Sequence, residues 1–281
     1  MTHDDPKQTL DCAILRRRDP ADKQASNAIQ FLRRRSVGKS VKPQFLAMLP
    51  GELQAVVQEA EQLAGCEIAV VPDAAANEFE SLELSVDRRG VCSATIAYRG
   101  ESISRCALLH ELLHVKRYWL DAVPLLKATS RHRYDYEAQM VNDLIEHLTI
   151  IPEERRFAKA ESNAHWSVMM ANEFSRISSS SRQADVDDLR RSLLLQRAMV
   201  DIALPALDHT RLYDRLRDEN LFEASTAFVD HLRNILNNKE RALIVACKEF
   251  GYDLTGFCFG RFRLRTHPKS FERFASLAHS S

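Results

Sequence analysis

The sequence predicts an α+β fold: a small antiparallel or mixed sheet with two functional helices, followed by an all-helical C-terminal region. Three observations support it. Short runs rich in β-branched and aliphatic residues, "CEIAVVP", "LELSV" and "VCSATIAYRG", gather between residues 66 and 100. An apolar segment carrying two histidines, "ALLHELLHVKRYW" at 107–119, follows at once. Beyond Pro152 every recognisable segment has helical spacing.

Taken in order, residues 1–45 are polar and basic, with arginine triplets at Arg16–Arg18 and Arg33–Arg35, and form an N-terminal arm. Solvated helix faces are the simplest account of such runs. The "GKS" at 38–40 is not a phosphate-binding loop, because Arg33 stands where that motif requires glycine. "PGELQAVVQEAEQLAG" (50–65) predicts a helix stopped by Gly65. "CEIAVVP" (66–72) predicts a strand, and the next two runs predict a strand pair turning at Asp87–Gly90.

A helix is expected over about 102–119, capped by Ser102 or Ser104. A loop over about 120–134 and a helix over about 135–151, ended by Pro152, come next. Helical patterns continue near 153–177, 184–203, 206–219, 221–237 and 239–250. The serine-rich "SRISSSSRQAD" reads as a boundary. The expected organisation is an arm (1–45), an α+β domain (46–177) and a helical domain (178–281).

Composition narrows the function classes. The 281 residues carry a formal net charge of zero, so long-range attraction to nucleic acid or an anionic membrane has no global support. The tail "GRFRLRTHPKSFERF" is locally basic. None of the six cysteines stands in a C-x-x-C pair, which fits reduced, buried thiols of an intracellular protein. The start lacks a signal-peptide layout, and no apolar run approaches the ~20 residues that span a bilayer. A cytoplasmic protein is expected.

On a helix, residues four apart lie on one face, so His110 and His114 present their imidazoles side by side. Both can then ligate one zinc ion at about 2.0–2.1 Å. Glu111 points to the flank, where it suits a general base acting on water. Leu108, Leu109, Leu112 and Leu113 cover the other side and bury the helix. This division of roles is the physical content of the H-E-x-x-H motif.

With that motif placed on a helix directly after a strand, residues 66–152 resemble a compact gluzincin metallopeptidase. "HELLH" at 110–114 and the close "LTIIPE" are similar to the core and ligand helix of the IrrE/ImmA-like metallopeptidases. The resemblance implies a zincin-like core whose second helix supplies an acidic third ligand. Glu146 and Glu137 both qualify. Glu146 lies opposite the apolar stripe of Met140, Val141, Leu144, Ile145 and Leu148, beside Asn142, as in thermolysin-like enzymes, and is the favoured ligand. Glu137 opens "YEAQMVND", which is similar to the early-glutamate pattern of the IrrE-like group, although Val141 stands where that group has Asp or Asn. His147 is a further donor, with a half-buried polar residue as its plainer reading. Tyr134 and Tyr136 are placed to serve an oxyanion, against a plainer role in anchoring the loop.

The implied chemistry is hydrolysis of a peptide bond in a specific protein or peptide, a regulatory protein being one such substrate, with Zn2+ as cofactor and Glu111 as base. The strand "SATIAYR" is expected to edge the cleft and accept an extended substrate by strand addition. The competing reading is a metal-binding regulatory or scaffold protein without hydrolysis. An intact Glu111 favours the first, since a scaffold has no use for the base.

Overall fold

A computed structural model describes residues 8–12, 43–73, 81–86, 92–129, 134–179, 186–264 and 271–276. Its architecture is α+β and mostly helical, with eight helices and two small sheets among the described residues. Most of the expected N-terminal arm and the turn at Asp87–Gly90 lie outside those residues. The chain divides into Met1–Val123 with Arg261–Arg273, and Pro124–Gly260 with Phe274–Ser281.

In the first unit, α1 (Pro43–Leu46) leads into α2 (Gly51–Ala64). The latter ends at Gly65, whose φ of 64° is a left-handed conformation that glycine adopts without a Cβ penalty. Strands β1 (Gln8–Cys12), β2 (Ile68–Pro72), β3 (Ser81–Val86) and β4 (Cys92–Tyr98) form one sheet in the order β1-β3-β4-β2. Its pairings are antiparallel except β2 with β4, so the sheet is mixed. Register places Leu82 opposite Ile96 and Leu84 opposite Ala94, and all four are buried, which gives one apolar face. Helix α3 (Arg105–Val115) packs on β3 and β4.

One expectation is overturned here. β4, the strand "SATIAYR", is not an edge: β3 and β2 flank it on both sides. Its backbone groups are committed to the sheet, so no substrate can add to it.

The second unit opens with β5 (Leu125–Ala128), inside what reads from sequence as a loop. Helix α4 (Asp135–Ser179) runs straight through Pro152, where a stop is expected. Proline removes one helical hydrogen bond, a loss of about 3 kcal/mol. The neighbouring Leu148, Ile150, Ile151 and Glu154 are all buried, and at about 1.5–3 kcal/mol per apolar side chain that packing outweighs the proline. The helical backbone instead breaks at Ala158 (φ −147°, ψ 53°).

Helices α5 (Val186–Ala198), α6 (Thr210–Asp218), α7 (Phe222–Ile235) and α8 (Lys239–Glu249) match the expected segments, with a π-turn at Met199–Ala203 after α5. The last described segments are not helical. β6 (Phe257–Phe262) and β7 (Phe271–Ser276) join β5 in a second sheet, order β5-β6-β7, with Leu125 opposite Gly260 and Ala128 opposite Phe257. The all-helical C-terminal region is corrected accordingly. The division between the units also falls at Val123/Pro124 and not in the serine-rich stretch, because α4 extends through Ser179 and packs with α5 and α8.

Candidate metal centre

Helix α3 starts where its cap residue dictates: the Ser104 hydroxyl accepts the Ala107 N–H at 3.1 Å. Every residue from Cys106 to Val115 is buried. Four leucines at 0–1% exposure contribute about 1.5–3 kcal/mol each, which holds the helix in place although it also buries three polar side chains.

Those three are the motif residues: His110 at 8%, Glu111 at 5% and His114 at 1% exposure. The two imidazoles meet nearly edge to face, centroids 4.8 Å apart at 83°, with Nε2 3.2 Å from Nε2. Two nitrogens ligating one zinc ion tetrahedrally at 2.0–2.1 Å stand about 3.3–3.4 Å apart. The pair therefore already has the bite of a chelate. Its plainer account is an imidazole–imidazole hydrogen bond, for which 3.2 Å is at the long end.

After Val115 the helix widens into a π-turn, Lys116–Leu120, closed by the Asp121 N–H donating to the Lys116 carbonyl at 3.1 Å. Within it Tyr118 is fully buried, its ring stacked parallel to that of His114 at 6.2 Å and 8°. The sequence contained a signal for this: Tyr118 continues the ladder of every fourth residue begun by His110 and His114.

The second unit arranges the other expected residues differently from the helical-wheel reading. The polar face of α4 is buried: Asn142, Asp143, Glu146 and His147 all lie inside. Asn142 does not support Glu146. Its amide holds β5, accepting the Leu126 N–H at 2.8 Å and donating to the Leu126 carbonyl at 3.0 Å. Glu146, at 0% exposure, forms an ion pair with Lys239, the first residue of α8. An ammonium at a helix N-terminus is disfavoured by the helix dipole, and the Glu146 carboxylate offsets this. No local pattern in the sequence marks Lys239 as this partner.

His147, one residue on, packs edge-to-face against Trp166 (5.3 Å, 63°), whose indole N–H donates to the buried Glu154 carboxylate at 3.2 Å. Glu137 lies where its charge reaches Cys247 and Tyr252. Burial pushes the Cys247 thiol up to about 12 and Glu137 adds to the rise, and the Tyr252 phenol is raised by burial and Glu137 against the lowering effect of Arg191. Tyr134 serves as the anchor: its ring packs against Phe257 (5.3 Å) and over Gly256, where a Cβ would stand 2.7 Å from it. Tyr136 is exposed.

The Asn142 clamp makes a direct prediction. Asn142→Leu keeps the volume but leaves two buried backbone groups of Leu126 without partners, each worth about 1–3 kcal/mol. Urea unfolding is expected to show a loss of about 2–6 kcal/mol. A leucine variant as stable as wild type would mean that β5 is held by other contacts.

Comparison with family models, with curated proteins and with solved structures finds no match for this chain. Among the described residues, no helix is long and apolar enough to cross a membrane.

Proposed function

We propose that this chain is a zinc-dependent peptidase with a zincin-like core, in which His110 and His114 hold the ion and Glu111 is the general base. The observation that carries it is the 3.2 Å approach of His110 Nε2 to His114 Nε2 on a buried helix that also carries Glu111. A mixed sheet with α3 packed on it supports the zincin-like part.

Two neutral imidazoles side by side on one buried helix are good zinc ligands. Glu146, the acidic ligand expected from the sequence, is engaged by Lys239 within its own unit.

When bound, zinc would supply a polarised carbonyl and a water of lowered pKa. Glu111 takes the proton of the attacking water and delivers it to the leaving amine. The low exposure of His110, Glu111 and His114 keeps bulk water from competing with that transfer. With β4 internal, the substrate is bound other than by addition to that strand. A protein or peptide substrate inside the cell completes this reading, and five free thiols among the described residues are consistent with a reducing compartment.

The burial of the three motif residues also favours a second reading, a closed metal site that stabilises a regulatory or scaffold protein, since structural sites are closed and catalytic ones keep a position open.

The test is metal content. The purified chain is expected to hold about one zinc ion, which His110→Ala/His114→Ala loses entirely. Full retention of zinc in the double variant sinks both readings.

A further inference from the structure

We propose that Tyr118 is a positioning residue for His114: its ring, stacked alongside the imidazole, fixes the plane in which Nε2 meets the ion. The inference rests on reading His110 and His114 as a metal-binding pair.

Three observations lead to it. The first is geometric. Rings 6.2 Å apart and within 8° of parallel lie in the range of offset stacking, so the imidazole cannot swing about its χ2 without losing that contact. The second is the backbone. π-turns are rare, and they recur at functional sites; here one begins immediately after the helix that carries the motif. Tyr118 lies within that widened turn, four residues on from His114. The third is burial. Tyr118 is fully buried and Trp119, next to it in sequence, is 1% exposed, so the ring lies in the interior, where side chains are close-packed.

A metal site pays for disorder in its ligands with affinity, because each ring must be immobilised on binding. A histidine whose plane is already held loses less. Outer partners that do this by hydrogen bonding are worth about 10–100-fold in metal affinity. The stack supplies the same restraint through the ring face, leaving the phenol hydroxyl out of it.

The test compares Tyr118→Phe, which keeps the ring, with Tyr118→Leu and Tyr118→Met, which keep apolar volume without one. Zn2+ affinity is measured by competition with a chromophoric chelator, the Co2+ absorption spectrum reports ligand geometry, and thermal unfolding of the ion-free chain reports packing. Tyr118→Phe is expected to bind within about threefold of wild type with an unchanged Co2+ spectrum, and the other two to bind about 10–100-fold more weakly with an altered one.

A residue that only fills the core would lower the stability of the ion-free chain and leave affinity and spectrum alone, and that result overturns the proposal. So does a phenylalanine variant as weak as the leucine one, which would assign the effect to the hydroxyl. If neither the leucine nor the methionine variant folds while the phenylalanine one does, Tyr118 belongs to the core alone. Wild type that holds no ion overturns the metal site itself, and with it this inference.

Discussion

Glu146→Ala is expected to destabilise the protein by about 3–5 kcal/mol, because it strands a buried ammonium. Glu146 and Lys239 are both buried, so solvent cannot neutralise whichever is left. Against a total stability of about 5–15 kcal/mol for a typical domain, that is a large fraction. Lys239→Met is expected to cost a similar amount for the mirror-image reason. The double variant Glu146→Leu/Lys239→Met removes both charges, and such replacements by apolar residues are neutral or stabilising by about 1–4 kcal/mol. Urea unfolding of the three variants gives the coupling directly.

Zinc content of the same double variant decides whether Glu146 is a ligand. If the fold recovers and zinc is retained, Glu146 is a structural partner of Lys239 and nothing more. If the fold recovers and zinc is lost, Glu146 is the ligand after all and Lys239 is its companion. Glu146→Ala alone cannot make this distinction, since an unfolded chain also loses its metal.

What was legible in the sequence is what local chemistry determines. Gly65 ends α2, Ser104 starts α3, and the alternation around Leu82 and Leu84 places β3 against β4. The spacing of His110 and His114 anticipates their approach, which depends on one helical turn and nothing more distant.

What failed depends on partners far along the chain. β5 has no periodicity of its own and is a strand because Phe257–Gly260 pairs with it. Pro152 carries a strong local stop signal, and the packing of its neighbours overrides it. From sequence, the polar residues of α4 lie opposite its apolar stripe, with Asn142 as a partner of Glu146. Asn142 and Glu146 instead satisfy buried groups, a strand backbone and a lysine, whose positions no spacing rule supplies. The order β1-β3-β4-β2 is nonlocal in the same way: β2 returns parallel to β4 and turns an expected edge into a centre.

Glu111→Gln is expected to abolish hydrolysis while sparing the fold and the ion. The amide has the size and hydrogen-bonding shape of the carboxylate, so a side chain at 5% exposure is replaced without a cavity. It cannot accept the proton of the attacking water, and the loss of a general base typically lowers the rate about 10²–10⁴-fold. Polarisation of the carbonyl by zinc does not depend on Glu111, so a residual rate within that span is expected. The two readings of the buried motif diverge here. In a peptidase, a cell carrying only Glu111→Gln should behave as if the gene were absent, although the variant accumulates to wild-type levels and retains its zinc. In a scaffold, the neutral amide should serve as well as the carboxylate, because shape and metal are preserved. The measurement is therefore three-fold: phenotype against a deletion strain, abundance of the chain, and zinc per chain. Full complementation by Glu111→Gln at normal abundance and zinc content would exclude hydrolysis as the cellular role and leave the closed-site reading in its place.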